Sequence, residues 1–119
     1  MKIIVNDANI LIDMMDIDLL EAFFNLPCDM NITDLVRHEF DDETFGKLHS
    51  YVRNGALTIH SLDQDATEVV KILKKDFSAA LSFPGCSCLY LAKSFSATVL
   101  TGDKPLRTAA IKYRCRRKR

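Results

Sequence analysis

Nothing in this chain is apolar enough for long enough to cross a membrane: its apolar runs last only a handful of residues, against the ~20 that a spanning helix needs. The opening Met1-Lys2-Ile3-Ile4-Val5-Asn6-Asp7 meets an acid too early for the apolar segment of a signal peptide. No Gly/Pro-rich linker, internal repeat or low-complexity tract divides residues 1–111. No glycine-rich loop follows the first apolar run, which excludes a dinucleotide fold and a P-loop enzyme. Cys86 and Cys88 have one residue between them, the wrong spacing for a redox pair or for zinc. Without an export signal, Cys28, Cys86, Cys88 and Cys115 read as reduced thiols, not as a disulfide frame. His38, His49 and His60 show no spacing that puts two on one helical turn with an acid, so they read as surface or boundary residues. Together these absences predict a cytoplasmic protein.

What is present is an ordinary globular balance, 48% hydrophobic and 27% charged over 119 residues, enough for one domain with its own core. The formal net charge of zero conceals an uneven distribution. Residues 112–119 hold six of the sixteen Lys and Arg and no acid, so ten bases against sixteen acids leave residues 1–111 at −6. Residues 1–43 alone carry eleven acids against Lys2 and Arg37. A net-acidic body repels nucleic acid but suits a divalent cation that bridges to phosphate. The division predicted is a domain over 1–111 and a disordered basic tail over 112–119, which either is simply solvated or helps to hold a polyanion.

Strand and helix patterns alternate. Lys2–Asn6 reads as a strand buried on both faces. Residues 9–26 take helical spacing, with a break at Asp16 or Asp18. A weak strand covers 28–32, and Thr33 caps a helix that runs to Phe40. A helix over 42–53 stops at Asn54-Gly55. A third strand spans 56–60, and a helix over 63–77 turns Val69, Val70, Leu73 and Phe77 inward. Pro84 opens a helix to Ser94. A fourth strand covers 97–101, and a last helix 103–110. Strands separated by helices of this length predict an α/β three-layer sandwich with a central parallel sheet of four strands, the first flanked by the second and fourth.

In such a sheet, ligands bind beyond the carboxyl ends of the strands. Asp7 follows the first strand and Asp103 the fourth, placing two acids at one edge, although either is also a natural helix cap. Glu39 lies ~40° from Leu35 on a helical wheel, inside the apolar sector of Leu35, Val36 and Phe40. A carboxylate aimed there is costly unless it is paired or binds a cation, and nearby bases are few. The alternative is a glutamate at the helix edge that bends to water.

These acids stand in recognisable motifs. Ile3-Ile4-Val5-Asn6-Asp7-Ala8-Asn9-Ile10-Leu11-Ile12-Asp13 resembles the first strand and catalytic acid of the PIN domain family. Thr33-Asp34-Leu35-Val36-Arg37-His38-Glu39-Phe40 is similar to its second-acid helix, and Thr101-Gly102-Asp103-Lys104-Pro105-Leu106-Arg107 to its fourth-acid segment. Leu81–Ala92 resembles the third-acid helix in spacing and apolar pattern. The resemblance spans residues 2–110. It implies a metal-dependent nuclease of single-stranded RNA, in many cases a VapC-type toxin restrained by an antitoxin. It further implies that Asp7, Glu39 and Asp103 hold Mg²⁺ or Mn²⁺, with Asn9 and Thr101 as polar supports. Hard carboxylate oxygens suit such ions, which lower the pKa of bound water and clamp phosphate.

The chain departs from that pattern twice. The third acid is expected at 85, where Gly85 stands; a missing carboxylate lowers cation affinity. A fifth strand is also missing, since 113–119 has no apolar run, and this predicts an open fourth-strand edge and a homo-oligomer. Three readings follow: an endoribonuclease and toxin component; a degenerate nucleic-acid- or protein-binding module weakened by Gly85; and an interaction domain whose acids are caps.

Overall fold

Four apolar runs take strand geometry: β1 (Lys2–Asn6), β2 (Cys28–Thr33), β3 (Leu57–His60) and β4 (Thr98–Leu100). The computed structural model of the protein describes residues 1–77 and 80–117, the side chains after Tyr113 excepted. All pairings are parallel and the strand order is β3-β2-β1-β4. Register aligns Ile4 with Met30 and Thr98, and Met30 with Leu57.

Between the strands lie α1 (Ala8–Asp16), α2 (Leu20–Phe24), α3 (Asp34–Arg37), α4 (Asp42–Gly46), α5 (His49–Arg53), α6 (Gln64–Phe77) and α7 (Phe83–Phe95); α8 (Lys104–Arg117) follows β4. The chain steps from β1 to β2 to β3 in one direction, then returns across the sheet to β4. Because parallel crossovers are right-handed, reversing direction moves the connecting helices to the other face. On one face, Leu11, Phe23, Phe45 and Leu48 join the core of Ile4, Met30, Ile32 and Leu57; Phe24 of α2 stacks on Tyr51 of α5 at 4.4 Å. On the other, α7 meets the sheet, and Val70, Leu73, Cys86, Leu89 and Leu106 form a second cluster among α6, α7 and α8. The predicted sandwich and strand order are those observed.

Three helices differ from their sequence expectations. The helix after Thr33 ends at Arg37, not Phe40: Glu39 and Phe40 donate to carbonyls three residues back, Val36 and Arg37, so the ladder tightens and turns out. Residues 42–53 form two short helices broken after Gly46, a poor helix former, and not one. The last helix passes Ala110 and carries the backbone through Arg117; residues 118–119 of the expected basic tail lie outside the described residues. Val69, expected inward, is exposed on α6 while Val70 and Leu73 are buried. The break at 16–18 occurs as expected, with Asp18 at φ 58°, as does the stop at Gly55, at φ 84°. Among the described residues no helix is long and apolar enough to cross a membrane.

Candidate active site

The chain reverses between β1 and β4, which opens a crevice at the carboxyl ends of these two strands. Asp7 stands there as the N-cap of α1, its Oδ1 accepting from the Ala8 N–H at 2.9 Å. Its own N–H donates to the Leu100 carbonyl at 3.0 Å, tying it to the end of β4. Thr101 joins the two strand ends: its hydroxyl donates to Asp7 Oδ2 at 2.7 Å and accepts from the Asp103 N–H at 3.0 Å. Asp103 Oδ2 in turn accepts from the Leu106 N–H at 3.1 Å. Both acids therefore do act as caps. Each carboxylate oxygen has two lone-pair sites, so a single internal bond does not exhaust its capacity.

Glu39 arrives from the turn after α3, and not from a buried helical stripe as its position on the wheel predicts. It is exposed, yet it lines the same cleft as Asp7 and Asp103. Partial burial raises its pKa above the ordinary carboxylate value, and the negative charge of Asp7 raises it further. The cleft has a volume of about 210 Å³, and Asn9, Ser82 and Gly85 also line it. Among the described residues no lysine, arginine or histidine does. Three acids line one space.

Gly85 lies at the cleft wall in the first turn of α7. Ser82 caps that helix by accepting the Gly85 N–H at 3.1 Å, a role its sequence context did not single out, although Ser three residues before the helix's first free N–H is a recognisable signal. Ser87 does not replace the missing acid. Its one proton goes to the Pro84 carbonyl at 2.6 Å, so at 2.7 Å from Thr33 it accepts that residue's hydroxyl proton. Cys86 and Cys88 are fully buried. Burial pushes the Cys88 thiol well up, and the charges of Asp7 and Glu39 push it further; burial also raises Cys86, against Lys74. Neither supplies a thiolate.

The donor set is hard anionic oxygen, which fits Mg²⁺ or Mn²⁺. Asp7, Glu39 and Asp103 line one cleft, although among the described residues no three His, Cys, Asp or Glu side chains gather closely enough in this structure to hold a metal. The arrangement suits an ion that keeps several waters and takes one or two carboxylates, as Mg²⁺ commonly does.

Elsewhere, His38 and His49 are exposed, and His60 shares a hydrogen bond with Asn31 Oδ1 at 2.7 Å; burial lowers its pKa. Cys28, Cys86 and Cys88 are free thiols; the Cys115 side chain lies outside the described residues.

A family model described as a PIN domain matches residues 3–116. No curated protein and no solved structure gives a significant match.

Proposed function

Because the chain belongs to the PIN domain family, a nuclease fold whose members generally use divalent metals, we propose that it is a metal-dependent endoribonuclease acting on single-stranded RNA. The observation that carries this reading is one cleft walled by Asp7, Glu39 and Asp103, with no basic side chain among the described residues that line it. On this reading Asp7 and Glu39 hold Mg²⁺ or Mn²⁺, Asp103 shares the charge, and Asn9 lines the entrance. A bound ion supplies a more acidic water and charge stabilisation on the attacked phosphate. Thr101 keeps Asp7 and Asp103 in fixed relation through its two hydrogen bonds. The family resemblance further supports a cytoplasmic toxin component held by an antitoxin protein.

The test is cleavage of an unstructured RNA with Mg²⁺, Mn²⁺ or EDTA, using the intact protein and Asp7→Asn. Metal-dependent cleavage lost in Asp7→Asn is expected. RNA binding without cleavage in any metal would favour a second reading, for which Gly85 in the cleft wall speaks directly: a module that retains the fold and binds nucleic acid or protein without cutting. Co-purification with the product of an adjacent reading frame would support the toxin assignment, and its absence would remove it.

A further inference from the structure

Glu39 reaches the carboxylate cleft from an exposed position, and carboxylates that line one cleft repel each other. A glutamate on a surface turn swings to water unless the turn itself is held. The backbone of this turn is closed by the Glu39 N–H, which donates to the Val36 carbonyl at 3.0 Å, and by the Phe40 N–H, which donates to the Arg37 carbonyl at 3.2 Å. The Phe40 carbonyl accepts from a side chain, Arg37 Nη1, at 3.4 Å.

Arg37 is the only lysine or arginine between residues 3 and 46, a stretch with eleven acids. It is not among the residues that line the cleft. Its guanidinium lies 3.7 Å from the centroid of the ring of Phe45, a buried residue of α4, and Nη2 is 3.5 Å from Asp42 Oδ1. The Asp42 carboxylate is fully exposed, so that pair contributes little. Stacking on a buried ring contributes more, and it fixes the plane in which the guanidinium N–H groups lie. One planar group thus joins the last residue of α3, the residue after Glu39 and the helix beyond.

We propose that Arg37 is a positioning residue: stacked on Phe45, it holds the Phe40 carbonyl and so keeps the turn that presents Glu39 to the cleft. Its consequence for a metal rests on the nuclease reading; the hold on the turn does not. The sign of the effect separates this role from one of charge. A cation two residues from Glu39 opposes divalent-ion binding, so removing its charge alone would tighten that binding. Removing a positioning residue weakens it.

The test combines amide hydrogen exchange by NMR in EDTA with calorimetric titration of Mn²⁺, on the intact protein, Arg37→Gln and Arg37→Lys. Exchange of the Glu39 and Phe40 amides is expected to accelerate about fivefold in both variants, since lysine keeps the charge but not the planar fork. The acceleration should exceed any change at Met30 and Ile32 in β2, which report global stability. Mn²⁺ affinity is expected to fall about tenfold in Arg37→Gln, the lower end of the effect of a group that orients a ligand. In a Glu39→Gln background the same change should cost nothing. Turn amides that accelerate no more than those of β2, Mn²⁺ binding that tightens, or an equal loss with and without Glu39 would each overturn the proposal. An intact protein that binds no Mn²⁺ would remove the metal-dependent reading, and exchange alone would then decide the hold on the turn.

Discussion

At position 85 a hydrogen atom stands where a side chain would enter the cleft. A Cβ there lies 3.3 Å from Ser82 Oγ and 3.7 Å from Leu106 Cδ1, so the Ser82 hydroxyl must give by a few tenths of an ångström. Weakening that cap costs at most about 1 kcal/mol, which the poorer helix propensity of glycine offsets by a similar amount. A carboxylate about 4 Å from a divalent ion is worth several kcal/mol at an effective dielectric near 20, before desolvation. Gly85→Asp is therefore expected to fold with nearly unchanged stability, bind Mn²⁺ more tightly by calorimetry and cut RNA faster. Equal affinity and equal rates would show that position 85 is not a ligand position. Glu39 makes a second test. Its folded pKa lies above the ordinary 4.5, so the folded state binds more protons than the unfolded between 4.5 and that raised value. Stability falls as pH rises through this window, and the loss is complete above it. Glu39→Gln should melt higher than the parent at neutral pH in EDTA, and the gap should close below about pH 4.5 and narrow in Mn²⁺. A lower melting temperature at neutral pH would contradict the account from burial and the Asp7 charge.

Between elements, one hydroxyl chain fixes the wall of the cleft to its floor. Thr33 ends β2, caps α3 by accepting the Val36 N–H at 3.1 Å, and donates to Ser87 in α7. Ser87 passes the chain to the Pro84 carbonyl. The end of β2, the helix leading to Glu39 and the turn holding Gly85 are thereby locked together. Ser87→Ala leaves the Thr33 hydroxyl, in a fully buried residue, without its acceptor, at a cost of about 1–3 kcal/mol. The expected result is a melting temperature lower by several degrees, with weaker Mn²⁺ binding because Glu39 and Gly85 lose their common anchor. Unaltered melting would mean that a water replaces the serine without loss.

For the whole molecule, β4 is a three-residue edge strand, beside which α7 and α8 enclose a largely apolar cavity of about 480 Å³ that includes Ala92, Ala97, Val99 and Ile111. An edge of this kind exposes backbone donors and acceptors as well as apolar surface. Self-association is the expected outcome, read as a rise in mean mass with concentration in sedimentation equilibrium. A constant monomer mass to high concentration would count against it.

Alternating patterns and parallel crossovers sufficed to derive the sheet. Short apolar runs at Ile3–Val5 and Thr98–Leu100, separated by amphipathic helices, admit few arrangements, and right-handedness selects among them. Asp7 and Asp103 were legible for the same reason, since a residue just past a parallel strand has one place to go. Glu39 was legible as a residue but not as a geometry: the wheel assumed a helix through Phe40, whereas the helix ends at Arg37, and Glu39 and Phe40 turn out on bonds to carbonyls three residues back. Thr101 as the tie between two acids and the refusal of Ser87 to stand in for an acid appear only once distant segments meet. Hydrogen-bond direction here is a property of side chains 50 to 95 positions apart in the chain, such as Thr33 with Ser87 and Asp7 with Thr101. Periodicity reaches one element at a time, and only packing decides which faces of different elements look into the same space.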